Sequence, residues 1–408
     1  MTDNDKTVFK DLKIAAFSWA MVGPLTLKFF ADHGATVIRV ETSLRPCVTR
    51  TSAPYRDNIP GINRSGYFNH FSANMMSLSL NMKRPEGLSV AKELIAWSDV
   101  VMENFTPGVM DRWGLGYEEL KKIKSDIIMV RQNGFGIKGP YKNLAAFGMI
   151  LAAIAGIPNY IGWPDGGPLP VGVGAYTDSI SPRFASAALI AALEYRDRTG
   201  KGQLIDLAQF ETALHFLTPG LLDTAVNDRE PVRNGNAVDY AAPHNVYPCK
   251  GEERWCTIAV TEDVQWAALC GAMGKPDLAQ DPRFDTLRHR KENEKALDAE
   301  IEAWTVNQTP EEVMTVLQAA GVAAGVVENA SDVFNDPQLR KRGLFWPMEH
   351  SEMGTFTHLG TSMVLSETPA QAFTPSPCIG EHNEYILTKI LGKSDEEFVE
   401  LLVAGALE

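Results

Sequence analysis

The stretch LKIAAFSWAMVGPLTLKFFADHGATVIRVE, residues 12–41, decides the fold. LKIAAFSW is an apolar run of strand length. A helix opens near Gly23-Pro24, where a proline loses nothing by lacking its N–H, and it closes at Gly34. ATVIRVE is then a second strand, so the stretch contains the elements of a βαβ unit. The same alternation continues downstream, with MSLSLNM as a strand and PEGLSVAKELIAWS as a helix carrying Pro85 in its first turn. DVVMENF and DIIMVRQNGFG are two further strands. Strands alternating with helices predict a largely parallel sheet, with ligands beyond the strands' carboxyl ends.

Further along, PRFASAALIAALEYRDRTGKG reads as a long alanine-rich helix closed at Thr199-Gly200-Lys201-Gly202, and QLIDLAQFETALHFL as a strand running into a helix. The segment AVNDREPVRNGNAVDYAAPHN turns polar and rich in turn residues, which marks a domain boundary. From about residue 245 to 345 the pattern is that of a smaller α+β unit. VYPCKGEERWCTIAV is a hairpin turning at Lys250-Gly251-Glu252, followed by helices in EDVQWAALCGAMG, KENEKALDAEIEAWTVN and TPEEVMTVLQAAG. The tail from about 355 reads as proline-containing loops and a closing helix, SDEEFVELLVAGALE.

A chain of 408 residues exceeds the size at which one core keeps growing, so two domains are expected. The net charge of −13 argues against a nucleic-acid partner, because phosphate backbones are held by surplus lysine and arginine. An anionic ligand needs a local basic patch. MTDNDKTVFKDLK lacks the apolar segment of a secretory signal, and no run approaches the ~18 apolar residues of a membrane span. Five cysteines without metal-ligand spacing, and scattered histidines, fit a reducing cytoplasm and no metal site.

The chemical question centres on VGVGAYTDSISPRF, residues 171–184. Asp178 stands where the cap region of a helix would, with Ser181-Pro182 able to start that helix without it. The competing reading is an exposed nucleophile, with Gly172 and Gly174 allowing a ligand close to the backbone. GVGAYT is only a truncated dinucleotide fingerprint, and no phosphate loop, nucleophile elbow or zinc motif occurs. At other strand ends, Asn104 and Arg112 are placed to meet a polar anion, and Lys83, Arg84 and Arg39 suggest phosphate.

Taken in order, GPLTLKFFADHGATVIRVE, SLSLNMKRPEG, DVVMENFTPGVMDRWGLGYEEL, NGFGIKGPY, ALEYRDRTGKGQLIDLAQFETAL and NDPQLRKRGLF resemble the family III CoA-transferases over nearly the whole chain. The resemblance implies an α/β fold: a Rossmann-like large domain over 1–225, completed by 350–408, and a small α+β domain with linkers over 226–349. It also implies an interlocked dimer, or a hetero-oligomer with a related subunit. Asp178 matches the family's nucleophilic aspartate, and CoA contacts fall on Ala20, Met21, Val22, Leu80, Lys83, Asn104, Phe105 and Arg112. Met21 stands where some relatives carry glutamine or a stacking ring, and no glycine run is present for a lid.

The implied chemistry is covalent, with aspartyl-CoA and mixed-anhydride intermediates and no tightly bound cofactor; CoA enters as part of the acyl-CoA substrate. Backbone N–H groups near Gly134 to Gly136 are candidates for stabilising the oxyanions. Residues 52–77 are similar to family members of anaerobic aromatic degradation that pass CoA from succinyl-CoA to benzylsuccinate. A dicarboxylate acceptor makes Arg50, Arg56, Arg64 and Arg183 candidates for its second carboxylate. One alternative is the family's α-methylacyl-CoA racemase, whose second base is a histidine. Phe147 stands at that position here, and a phenyl ring takes no proton. Another alternative is an assembly subunit of a hetero-oligomeric transferase, against which the presence of Asp178 argues.

Overall fold

The computed structural model describes residues 6–172 and 175–408, so Gly174 lies outside the described residues. Six strands form one parallel sheet: β1 (Lys13–Phe17), β2 (Thr36–Glu41), β3 (Met76–Ser79), β4 (Val100–Glu103), β5 (Ile128–Asn133) and β6 (Leu204–Ala208). Their spatial order is β3-β2-β1-β4-β5-β6, the doubly wound arrangement of Rossmann-like sheets. The order reverses between β1 and β4, and a crevice opens beyond the carboxyl ends there.

Alternation along the strands supplies both faces of the sheet. Phe17, Ile38, Leu78, Val101 and Met129 pack with Val90 and Leu94 of the helix Pro85–Trp97 on one side. Ile14, Val37, Val100 and Ile128 pack with Leu27, Phe30 and Leu189 on the other. With helices covering both faces, β4 and β5 are buried along their whole length, which is why each opens on a continuous apolar run, Val100–Met102 and Ile128–Val130. Each such Leu, Ile or Phe contributes about 1.5–3 kcal/mol on leaving water.

The chain divides into two compact units. The first contains the residues up to Pro158, Pro170–Glu230 and Lys341–Glu408. Its last residues return to the sheet: the Asn81 N–H donates to the Ala406 carbonyl at 2.9 Å, and Leu80 bridges Leu407. The second contains Asn159–Leu169 and Pro231–Arg340. It is built on an antiparallel sheet of β7 (His244–Pro248), β8 (Trp255–Ala259) and β9 (Ala323–Val327) around Tyr247, Trp266, Phe284 and Ile301. Gly251 turns the hairpin at φ +117°.

Two elements differ from the sequence reading. An antiparallel ribbon pairs β10 (Phe345–His350) with β11 (Gly354–Leu359), and β11 falls at the start of the tail, where loops were expected. Pro347 hides β10 in the sequence, yet a two-stranded ribbon has outward positions that need no N–H. The aspartate helix spans Tyr176–Thr199, so it begins six residues before Pro182, and that proline lies inside it. Proline's φ suits a helix; its cost is the bond from residue 182 to the Asp178 carbonyl, which cannot form. Among the described residues, no helix is long and apolar enough to cross a membrane.

Candidate active site

A cavity of about 810 Å³ lies at the carboxyl ends of the parallel strands, with all of its lining residues in the first unit. Asp178 is on its wall, in the first turn of the Tyr176–Thr199 helix. The capping role that its position suggested does not form. Ala175 is the N-cap residue without a side-chain bond, and the Asp178 carboxylate has no hydrogen-bond partner among the described residues. Burial lifts its pKa from 3.8 to about 7, because nothing nearby compensates the lost hydration of the anion. An unpaired, poorly hydrated carboxylate is a stronger nucleophile than one held by arginine or by capped N–H groups.

Gly148 makes room for it. A Cβ at Gly148 would stand 2.1 Å from the Ala175 Cβ and 2.9 Å from Asp178 Oδ2, so no side chain fits there. The Thr177 hydroxyl donates to the Gly148 carbonyl at 3.2 Å, docking the aspartate turn on the start of the helix Gly148–Ile154. Further back, Gln132 Nε2 donates to the Ser181 hydroxyl at 3.1 Å, while the Thr26 hydroxyl donates to Gln132 Oε1 at 2.8 Å. These buried bonds tie the helix to β5. Phe147 precedes Gly148, 64% exposed, and also lines the cavity. Tyr67 is a neighbour that the sequence did not reveal. Burial first, and the Asp178 charge second, raise its phenol pKa, and its hydroxyl donates to Met21 Sδ at 3.1 Å.

Of the expected CoA contacts, Ala20, Val22, Leu80, Lys83, Asn104 and Phe105 line this cavity. Met21 and Arg112 are not on its wall. Met21 turns its sulfur to Tyr67, and Arg112 lies exposed against the Gly108 turn. The Asn104 carboxamide is already engaged. Its Oδ1 accepts from the Trp19 N–H at 2.7 Å and its Nδ2 donates to the Trp19 carbonyl at 2.7 Å. Asn104 therefore shapes the loop after β1 rather than offering a free amide. That loop holds Ala20 at φ 58°, a left-handed conformation costing about 1–2 kcal/mol for a residue with a Cβ. The Asn104 clamp on one side and the Cys47 thiol, which accepts from the Ala20 N–H at 3.2 Å, hold it there.

The cations differ most from expectation. Arg39 lines the cavity, as expected, but is fully buried, donates to the Ser72 hydroxyl at 2.8 Å and stacks on Phe68, so it is also part of the frame. Arg84 precedes the Pro85–Trp97 helix and does not reach the cavity wall. None of Arg50, Arg56, Arg64 and Arg183 lines the cavity. Arg50 is wholly buried, donating to both Glu41 oxygens at 2.8 and 2.9 Å and to Asn63 Oδ1 at 2.9 Å. Arg56 and Arg64 pair with Asp57, and Arg183 donates to the Ser179 carbonyl one turn below at 2.8 Å. The exposed cations on the wall are Lys83, Arg45 and Lys142, with the Arg45 guanidinium 5.0 Å from the Trp19 ring centre. They form the local basic patch that a chain of net charge −13 needs for an anionic ligand. Arg45 and Lys142 stand in loops, where no periodicity marks them.

Fold and site together define a doubly wound α/β protein with an unpaired carboxylate in a basic-rimmed cavity. The family model for CoA-transferase family III matches residues 9–383, and the chain belongs to that family: it is a CoA-transferase. It is similar to the succinyl-CoA–D-citramalate CoA-transferase of Chloroflexus aurantiacus, with 32% identity covering 96% of each chain. The succinyl-CoA–L-malate CoA-transferase beta subunit of the same organism is 30% identical, again over 96% of each chain. Among solved structures, a CAIB/BAIF family protein from Brucella suis superposes with a TM-score of 0.86 at 30% identity, covering 94% of this chain and 99% of that one.

Proposed function

We propose that this transferase carries CoA on Asp178, from succinyl-CoA to a dicarboxylic acid. The observation that carries this reading is the Asp178 carboxylate itself, half-buried, unpaired and on the wall of a cavity rimmed by Lys83, Arg45 and Lys142. Asp178 attacks the donor thioester carbonyl and expels CoA thiolate, leaving a mixed anhydride. The thiolate then attacks the aspartyl carbonyl, which releases the donor as its carboxylate and leaves an aspartyl-CoA thioester. The acceptor carboxylate displaces CoA to form a second anhydride, and the thiolate attacks the acceptor's carbonyl. Acceptor-CoA departs and Asp178 is again a carboxylate, so acyl activation is conserved throughout. Water has to be kept from the anhydrides, which it would hydrolyse.

Lys83, Arg45 and Lys142 suit the CoA phosphates, while Ala20, Val22, Leu80 and Phe105 flank the carrier and Asn104 holds the loop in place. The dicarboxylate class is supported by the relatives named for D-citramalate and L-malate. Benzylsuccinate, implied by residues 52–77, belongs to the same class, and Phe135, Leu144 and Phe147 supply an apolar wall for an aryl group. Phe147 beside Gly148 leaves the racemase without its second base. The beta-subunit relative supports assembly with a related chain, alongside the interlocked dimer that the resemblance implies.

The test is CoA exchange from succinyl-CoA to a panel of dicarboxylates, by the chain alone and with a co-encoded homologue, with hydroxylamine trapping of the aspartyl thioester. Asp178→Asn is expected to abolish both exchange and trapping. Full exchange by that variant refutes the route through Asp178.

A further inference from the structure

Two carboxamides on the cavity wall have no role in the chemistry above. Asn133 ends β5 and Gln209 begins the helix after β6; they are 4% and 7% exposed, and both line the cavity that holds Asp178. Asn133 Nδ2, Asn133 Oδ1 and Gln209 Oε1 are buried without a hydrogen-bond partner among the described residues. Elsewhere in the unit, buried amides are engaged: Asn104 on Trp19, Gln132 on Thr26 and Ser181, and Asn69 on the Ser65 carbonyl. A buried amide group left unpaired is a net cost to the folded chain, because it has given up its water for nothing. Three such atoms together are a cost that a bound ligand can repay.

Their placement is rigid. Asn133 is in register with Ala208, and the Phe210 N–H donates to the Gly134 carbonyl at 2.9 Å, so the two strand ends are laced together. Leu151, on the helix that Gly148 begins, stands 3.2 Å from where a Gly134 Cβ would lie. The carboxamides and the aspartate turn thus share one set of packed elements at the β5–β6 end of the sheet. Of the basic rim, Lys83 and Arg45 come from the loops after β3 and β2, towards the opposite edge, while Lys142 comes from the segment after β5.

The chemistry of the pair limits its ligand. A carboxylate only accepts hydrogen bonds, so by itself it engages the donor of Asn133 and leaves the acceptors unpaired. Asn133 presents one donor and one acceptor whichever way its amide is turned, and Gln209 adds a further unpaired oxygen. A ligand bearing a carboxylate next to a hydroxyl satisfies both kinds of group. Neutral amides also suit a site beside a nucleophilic carboxylate, because an arginine there would pair with Asp178 and quench it.

Building on the transfer route through Asp178, we propose that Asn133 and Gln209 are specificity-determining residues for the acceptor, and that they select a hydroxy-substituted dicarboxylate over acids without the hydroxyl; this ranks benzylsuccinate with succinate, and benzylsuccinate binding as tightly as malate overturns it. Asn133 donates to the carboxylate, and the one hydroxyl proton is held between the Asn133 and Gln209 oxygens as a three-centre hydrogen bond. A site built to bond a hydroxyl discriminates strongly against its absence, because its own buried groups are then stranded.

The test is titration calorimetry of the full chain with malate (2-hydroxysuccinate), succinate, benzylsuccinate and CoA, for the wild type, Asn133→Ala and Gln209→Ala, with thermal melts to establish folding. Malate is expected to bind at least tenfold more tightly than succinate. Each variant is expected to bring that ratio close to one while CoA affinity stays within twofold. Equal binding of malate and succinate by the wild type, binding of neither, or a ratio unchanged in the variants overturns the proposal. A parallel loss of CoA affinity overturns it too, assigning the carboxamides to the amides of the CoA arm. These readings do not pass through Asp178, so exchange surviving in Asp178→Asn refutes the covalent route and leaves the binding ratios standing.

Discussion

Replacing Asp178 by asparagine keeps the shape of the side chain and removes its charge, so it separates what the carboxylate costs the fold from what it does for the reaction. Burial raises its pKa from 3.8 to about 7. At about 1.4 kcal/mol per unit, holding the ionised form costs the folded chain about 4 kcal/mol at alkaline pH, trimmed by the partial exposure of the residue. Below the unfolded pKa, near 4, both states keep the proton and the cost is absent. Between there and about 7 the unfolded chain loses its proton first, so stability falls as pH rises, and above the folded pKa the penalty is complete. Asp178→Asn escapes it. At about 2.1 cal/mol/K of unfolding entropy per residue, a 408-residue chain gains about 5 °C in Tm near pH 8, and about 2 °C near pH 5. Scanning fluorimetry of the ligand-free proteins at both pH values, with exchange measured in parallel, gives the answer. A variant no more stable near pH 8 than near pH 5, relative to wild type, refutes the reasoning, as does one that still transfers CoA.

Wild-type kcat/KM is expected to rise about tenfold between one unit below and one unit above pH 7 as Asp178 ionises, and a flat profile contradicts the assignment. Gly148→Ala drives a methyl group against Ala175 and Asp178 Oδ2; kcat should fall about a hundredfold with a stability loss of about 1–3 kcal/mol, checked by kinetics and denaturation. Asn104→Ala removes both bonds to the Trp19 backbone and frees the strained turn at Ala20. The KM for acyl-CoA should then rise several-fold while trapping on Asp178 persists, with about 1–2 kcal/mol lost in denaturant melts. Arg50→Ala leaves Glu41 buried without its principal partner, so about 3–5 kcal/mol of stability should go, with the preference among acceptor acids unchanged in exchange assays.

The arginines show how a sequence misleads about charge. Arg50, Arg56, Arg64 and Arg183 were reasonable partners for a carboxylate by residue type. Each is committed elsewhere: to Glu41, to Asp57 or to the carbonyl one turn below. Asn104 illustrates a gentler version. Its strand-end position placed it at the cavity, where it stands, and the bonds it makes across 85 residues give it a second task, bracing the loop that Ala20 strains. Pro182 and Pro347 each hid an element, a helix turn in one case and a strand in the other, because local rules penalise proline without knowing which N–H groups the fold leaves unused.

By itself, the sequence determined the parallel α/β sheet and the hairpin of the second unit. Those features rest on periodicity and on glycine and proline turns, which are local and therefore written along the chain. Its ordered motifs also carried the family resemblance. Only the tertiary structure decided the state of Asp178: uncapped, unpaired and raised towards neutral pH by burial beside Gly148, thirty residues upstream. Only the tertiary structure, too, placed Tyr67 close enough to feel its charge and brought the unpartnered Asn133 and Gln209 to the same cavity. The physical reason is that a side chain's hydration and bonding partners belong to its neighbours in space, and for these residues the neighbours come from distant parts of the chain.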